Sequence, residues 1–228
     1  MNIIRLTISV ICLLAVTFAN VTEAKNKKKN NDNKWHTLVA VVVDPATYNN
    51  AKDAVDKYIE SIKVTREDGS VRREGLLVVD RWAQPDSIRN YLYNLYQNSN
   101  LEGAVLVGDI PVAMVRDAQH LTTAFKMEQG KNWQESSVPS DRFYDCFTLK
   151  FNFIKQDKDI KSYFYYSLAP EGAQQIVCDI YTARIKPPVI EGKTKYRLIT
   201  EFLNKAVAAK ENQKRMNRVL YFAGHGYN

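Results

Sequence analysis

Cysteine and histidine are scarce in this sequence, with three residues of each among 228. Metal sites in proteins are built from clusters of such residues at short spacings, and no such spacing occurs here. We therefore expect no metal centre. Cys146 and Cys178 could form a disulfide in an oxidising compartment, but two isolated cysteines are more often ordinary core residues. Cys178 in particular is predicted to lie in the core.

Glycine-rich phosphate loops are absent as well. Two apolar runs end in loops of a different composition, Asp44-Pro45 and Gly108-Asp109-Ile110-Pro111. Neither loop has the GxGxxG or Walker spacing that surrounds a phosphate. The sequence accordingly predicts no nucleotide and no other bound cofactor.

After the first 24 residues, no apolar run is long enough to span a membrane. Residues 1–24 have the three parts of a signal peptide: Arg5 in a basic region, an apolar stretch over 8–18, and small residues at Thr22 and Ala24. We therefore predict cleavage near Ala24, with Ala19 as the alternative position. The mature protein is predicted to be exported to the periplasm or the extracellular space.

A strongly basic folded surface is also missing, although the formal net charge is +7. Residues 25–34 contain five lysines and one aspartate, and their basic, polar composition is typical of a structureless linker. They therefore carry more than half of the net charge. No basic stripe interleaved with aromatic residues follows them, and we expect no nucleic-acid partner.

The remaining chain, residues 35–228, is long enough for one domain with a substantial core. Its most informative stretch is 101–112, LEGAVLVGDIPV. The apolar run 104–107 has the pattern of a strand that is buried on both faces, as in a parallel sheet covered by helices. We predict that this run is the central strand of such a sheet, with a functional edge that begins at Asp109.

Further apolar runs and helical spacings alternate along the chain. Buried strands are predicted at 38–43, 76–79, 176–185 and 219–223, and amphipathic helices at 51–62, 85–96 and 196–206. This alternation, with short connections, predicts the α/β class, with a parallel sheet flanked by helices. The segment 112–166 is predicted to be an irregular but packed insertion that is rich in aromatic residues.

The best candidate for chemistry is Gly224-His225-Gly226, which directly follows the last apolar run. The two glycines leave the backbone free to expose the imidazole ring of His225 as a general base. A histidine in an ordinary glycine-containing turn would show the same pattern. A nucleophile is harder to identify. Cys178 lies near the start of its predicted strand, Cys146 lies in an aromatic loop, and Ser140-Asp141 fits a turn or a helix cap as well as a site.

Several short motifs, taken in order, resemble those of the gingipain-type cysteine peptidases. They are Val105-Leu106-Val107-Gly108-Asp109 with Ile110-Pro111, Ser140-Asp141-Arg142-Phe143-Tyr144, and Asp179-Ile180-Tyr181-Thr182-Ala183-Arg184-Ile185. The resemblance covers about residues 38–228. At Ala183 the family usually has a glycine before the arginine.

This resemblance implies a caspase-like fold and a His/Cys dyad that acts on peptide or protein substrates. Gly224-His225-Gly226 matches the family's histidine loop, so His225 would be the catalytic base. No cysteine follows it here, which predicts that residues 35–228 are the front part of the domain, incomplete at the carboxyl end and inactive alone. The alternative expectation is an exported, non-catalytic binding or scaffold module built on the same sheet.

Overall fold

The structure of this protein is a computed structural model that describes residues 36–121 and 128–212. Within these ranges the chain forms two sheets and four helices. The fold is mixed α/β and contains parallel strands, as predicted. The predicted strand at 219–223, the histidine loop and the first 34 residues lie outside the described residues.

The first sheet has five strands in the described chain. They are β1 (Thr37–Val43), β2 (Val64–Thr65), β3 (Val71–Val79), β4 (Leu101–Val107) and β9 (Tyr181–Ile185). Their order is β2-β3-β1-β4-β9, and β3, β1, β4 and β9 are mutually parallel, while β2 pairs antiparallel with β3. All four parallel strands therefore end at the same edge of the sheet.

Helices cover both faces of this sheet because the side chains of its strands alternate between the two faces. On β1, Val41 packs against α1 (Pro45–Ile62) and α4 (Lys195–Glu211), whereas Val42 packs on the opposite face against α2 (Pro85–Ser99). Such two-sided burial explains why β1 and β4 read as continuous apolar runs rather than as alternating patterns.

Local sequence explains where the helices begin. Asp44 accepts a hydrogen bond from the Thr47 N–H (2.9 Å) and so caps α1, in which Pro45 is the first residue. Pro85 and Asp86 occupy the first turn of α2, which begins at residue 85 as predicted. α4 contains the helix predicted at 196–206, and within it Ile199 is fully buried whereas Phe202 is 52% exposed.

Two predictions about the first sheet need correction. The run 104–107 belongs to β4, which is flanked by β1 and β9, but the central one of the five described strands is β1. The strand predicted at 176–185 begins only at Tyr181. The reason is that the N–H groups of Asp179 and Ile180 donate to the Asp145 carbonyl and not to a neighbouring strand.

The segment 112–166 is not irregular. It contains β5 (Val112–Arg116), β6 (Val138–Pro139), the short helix α3 (Arg142–Asp145), β7 (Phe151–Gln156) and most of β8 (Tyr163–Leu168). The strands form a second sheet in the order β6-β5-β8-β7. Aromatic residues alternate across it: Phe164 and Tyr166 join the main core, while Tyr165 packs with Trp133 on the other face.

None of the helices in the described part of the chain is both long and apolar enough to cross a membrane.

Candidate functional site

Three aspartates lie at the edge of the sheet where the parallel strands end. This is the edge that the sequence predicted to be functional. Asp44 follows β1, Asp80 follows β3 and Asp109 follows β4. The Asp44 carboxylate accepts hydrogen bonds from the Thr47 N–H (2.9 Å) and the Asp109 N–H (2.8 Å). It thus fixes the loop after β4 to the start of α1.

Burial acts to raise the pKa of Asp44, but hydrogen bonds from Thr47 and Asp109 outweigh it and the pKa is lowered. Gly108 makes this close approach possible. Its φ of +83° is in the region that favours glycine, and a Cβ there would lie 2.2 Å from Asp44 Oδ2. The glycine after β4 is therefore required by the packing of the loop.

The other two aspartates at this edge are also engaged. Asp80 Oδ1 accepts from the N–H groups of Trp82 and Ala83, each at 2.9 Å, and so holds the turn before α2. Asp109 forms an ion pair with Lys195 at the start of α4, and the hydrogen bond between them raises the pKa of Lys195. All three carboxylates thus hold elements together in the described structure.

Arg184 on β9 joins the three motif segments that were separate in the sequence. Its guanidinium donates to Ile110 O (2.7 Å) and Pro111 O (3.1 Å) in the loop after β4. It also forms a forked pair with Asp141 just before α3, with Nη2 2.7 Å from Oδ1. Tyr144 completes the network by donating its hydroxyl to Pro111 O at 2.8 Å, and burial raises its pKa.

A second polar cluster lies beside this network, at the start of β9. Asp145 is 1% exposed, and its Oδ2 accepts from Arg142 Nη1 (3.0 Å) and Thr182 Oγ1 (2.7 Å). Arg142 Nη1 also lies 2.6 Å from the sulfur of Cys178, which is exposed. Asp145 Oδ1 is buried and has no hydrogen-bond partner among the described residues. Such orphaned carboxylate oxygens are unusual in protein interiors.

Two clefts open on either side of the Arg142–Cys178 contact. One has a volume of about 600 Å³ and lies between β9 and the β6–α3 segment, and the other has a volume of about 390 Å³ and borders the start of β9. Both are lined by Arg142, Asp145, Cys178 and Thr182. The cluster therefore faces open space on two sides, in contrast to the aspartates of the carboxyl edge.

Burial raises the pKa of Asp145, although hydrogen bonds from Thr182 and the charge of Arg142 act in the opposite direction. The folded protein therefore holds this proton more tightly than the unfolded chain, in which the carboxyl has a pKa near 3.8. Ionisation of Asp145 is expected to lower the free energy of unfolding as the pH rises from that value through the folded pKa. Asp145→Asn removes this contribution.

We expect the stability of Asp145→Asn relative to the original protein to increase with pH across this window, as measured by urea unfolding at each pH. Asp68→Asn is a suitable control, because hydrogen bonds from Ser70 lower the pKa of the exposed Asp68 carboxyl. The stability of this variant relative to the original protein is therefore expected to decrease as the pH rises. A constant stability difference between Asp145→Asn and the original protein at every pH would contradict the prediction.

A third cavity, of about 410 Å³, lies beside Arg89 on α2. The Arg89 guanidinium donates to the carbonyls of Phe143, Cys146 and Leu149. Its Cζ also lies 5.3–5.6 Å from the ring centroids of Phe143, Phe147 and Phe151. Burial lowers its pKa. The contacts assign Arg89 a structural role, which is to fix the loop after α3 to α2.

The structure changes the interpretation of both cysteines. Cys146 is fully buried, and its sulfur accepts from the Val177 N–H (3.3 Å). Cys178 was predicted to be a core residue, but it is exposed because its segment is a loop and not part of β9. Neither cysteine forms a disulfide within the described part of the chain. His225, the predicted catalytic base, lies outside the described residues.

Ser140-Asp141 does more than end a turn. Ser140 Oγ accepts from the Arg142 N–H at 3.3 Å, as a cap would, but the Asp141 side chain binds Arg184 instead. Asp145 was not among the site residues predicted from the sequence. Its only local signal was a spacing of three residues from Arg142, which suits an ion pair on one helical turn.

Within the described ranges, no group of three or more histidine, cysteine, aspartate or glutamate side chains is arranged to hold a metal ion. Comparisons with protein families, with curated proteins and with solved structures found no match to this chain.

Proposed function

We propose that this chain is the front part of an exported, gingipain-like cysteine endopeptidase with a caspase-like fold. The observation that carries the proposal is the Arg184 network. The motifs that resemble the gingipains lie up to about eighty positions apart in the sequence, yet Arg184 binds Asp141 and the Ile110 and Pro111 carbonyls directly. Motifs that contact one another in the fold support a family resemblance more strongly than motifs that lie apart on the surface.

The parallel strands β3, β1, β4 and β9, with helices on both faces, also support the proposal. Sheets of this kind carry their sites at the carboxyl ends of the strands. The proposed enzyme uses the backbone at such an edge to present the catalytic histidine.

In the proposed mechanism, His225 takes the proton from a cysteine thiol, and the thiolate attacks the carbonyl of the scissile peptide bond. The oxygen of that carbonyl becomes negatively charged, and backbone N–H groups of the Gly224-His225-Gly226 loop help to stabilise it. His225 then returns the proton to the leaving amine. In this proposal the attacking cysteine is absent from the 228-residue chain.

The proposal predicts that the 228-residue chain does not cleave peptides. Without the attacking thiol, His225 has no nucleophile to activate. We expect no hydrolysis of a mixed peptide library above background, and no change on His225→Ala. A longer product of the same gene is expected to cleave peptides and to lose that activity after thiol alkylation.

Cleavage by the 228-residue chain itself would contradict the assignment of the nucleophile. Cys178→Ser and Cys146→Ser would then identify which of the two thiols is responsible. A longer product that is folded but inactive toward all peptides would reject the peptidase proposal as a whole.

Export is the second part of the proposal, and it rests on the three-part sequence of residues 1–24. We expect material collected outside the cytoplasm to begin near Lys25, as determined by N-terminal sequencing. A control with Ala24 changed to a bulky residue is expected to shift or slow the cleavage. Secreted protein that still begins with Met1 would contradict this part.

One observation favours a second candidate, an exported binding or scaffold module. At the carboxyl edge, Asp44, Asp80 and Asp109 are all engaged in holding loops or Lys195, so none of them is free to act on a substrate. The assay of the longer gene product separates the two candidates, because only the peptidase is expected to show thiol-dependent hydrolysis.

A further inference from the structure

β9 is an edge strand of the first sheet, and it lacks the protection found at the other edges of the two described sheets. Unpaired edges attract further strands, and proteins commonly protect them by short length, by proline or by a β-bulge. β2 and β6 are only two residues long, and β6 includes Pro139. β7 pairs with β8 across a shift in register. β9, in contrast, has five residues, no proline and a continuous register with β4, so its outer edge is suited to pairing.

The backbone groups of Thr182 and Arg184 point away from the sheet. Ile185 O accepts from the Gly108 N–H (2.9 Å), which directs the backbone groups of Ile185 toward β4. Successive residues of a strand direct their N–H and C=O groups to opposite sides, so Ala183 also faces β4. The N–H and C=O groups of Thr182 and Arg184 therefore face outward, where they can bond to an added strand.

The cleft of about 600 Å³ between β9 and the β6–α3 segment lies beside this outer edge. Thr182, Ala183 and Arg184 line one side of it, and residues 138–142 line the other. Its volume is in the usual range of ligand sites, about 300–1,000 Å³. A single extended segment fits between these two sides, whereas β9 of a second copy would bring its own 138–142 segment into the same space. The cleft therefore favours a peptide over a second copy of the chain.

A strand that follows α4 in the chain is not expected to occupy this edge. In the β1–α1–β3 unit the helix lies on the face of Val41, and the chain moves away from β9. In the β3–α2–β4 unit the helix lies on the opposite face, and the chain moves toward β9. The two crossovers therefore share one hand, as parallel βαβ units nearly always do. Because α4 lies on the same face as α1, a next strand placed beyond β9 would require the opposite hand.

The side chains beside the edge indicate which kind of peptide it suits. On one face of β9, the ring of Tyr181 is 49% exposed, so a β-branched or aromatic neighbour can pack against it. On the opposite face, Arg184 is paired with Asp141. Arg142, which lines the cleft there, is paired with Asp145. A charged side chain of the peptide would compete with these pairs, whereas a neutral polar one would not.

We propose that the outer edge of β9 binds an extended peptide in which apolar and neutral polar side chains alternate. The peptide adds a strand to the sheet, and its backbone bonds to the outward N–H and C=O groups of Thr182 and Arg184. Its alternate side chains fall on the two faces of β9. The site is formed by described residues alone and involves binding without cleavage, so it does not depend on the proposed peptidase activity.

The test uses the full chain and a fluorescently labelled hexapeptide of alternating valine and threonine, with binding followed by fluorescence anisotropy. Two further versions of the peptide are N-methylated, one at every valine and the other at every threonine. In an added strand only one of these two sets directs its N–H groups toward β9. We therefore expect one methylated version to bind at least about tenfold more weakly and the other to bind like the parent peptide. An equal effect of both methylations would overturn the proposal.

Thr182→Pro tests the protein side of the pairing, because it removes one outward N–H group at a position where an edge strand tolerates proline. Thr182→Val is the matched control, since it loses the same hydroxyl contact with Asp145 but keeps the N–H group. We expect Thr182→Pro to bind the parent peptide about tenfold more weakly than Thr182→Val.

Equal binding by the two folded variants, or no binding by the original protein, would overturn the proposal. Self-association of the original protein that Thr182→Pro abolishes would assign the edge to a second copy and would overturn it as well. If Thr182→Pro does not fold, the two methylated peptides decide the question with the original protein.

Discussion

Replacing Arg184 by alanine is expected to lower the free energy of unfolding by about 3 kcal/mol. Arg184 is only 16% exposed, and its guanidinium satisfies the Ile110 and Pro111 carbonyls and the Asp141 carboxylate. The variant would leave two carbonyls and one partly buried charge without their partner. Such losses cost more than the net value of the original contacts, because the remaining groups cannot regain full hydration.

Urea unfolding of three variants measures this effect. Arg184→Lys keeps the positive charge but loses the paired hydrogen bonds to Asp141, so we expect a smaller but clear loss of stability. Arg197→Ala is the matched surface control, since its side chain is 63% exposed and pairs with Glu201 on the same helix, and we expect a loss of about 0.5 kcal/mol. A loss for Arg184→Ala as small as that for Arg197→Ala would mean that the network does not hold the two sheets together.

The elements that depend on local sequence were the ones that could be predicted. The apolar run of β1 and the proline at the start of α2 both follow from rules that involve only neighbouring residues. The same rules failed for β8, where aromatic residues alternate between two cores. Nothing in the sequence indicated that the second of these cores exists.

The candidate site was less predictable, because its contacts join residues that are far apart in the chain. Arg184 meets Asp141 across 43 positions, and Cys178 meets Arg142 across 36. Whether Cys178 is exposed depends on where β9 begins, and that point is set by the Asp145 carbonyl, which accepts the N–H groups of Asp179 and Ile180. A sequence pattern contains no information about such a distant acceptor.

Leu106→Ala is expected to have the other large effect, a loss of about 2–5 kcal/mol in the free energy of unfolding. Leu106 is fully buried near the carboxyl end of β4, and it packs on the face of the sheet that α2 covers. β4 is paired on both sides, with Val42 of β1 and Arg184 of β9 as the register partners of Leu106. The cavity left by alanine could not close without moving strands that are fixed on both sides.

Phe202→Ala is the control, because Phe202 is a large apolar residue on α4 that remains 52% exposed. We expect it to cost less than 1 kcal/mol, since little of its surface is removed from water on folding. Denaturant midpoints with an unchanged slope would show that both variants unfold from the same compact state. If Leu106→Ala were as mild as Phe202→Ala, β4 would not lie at the centre of the packing.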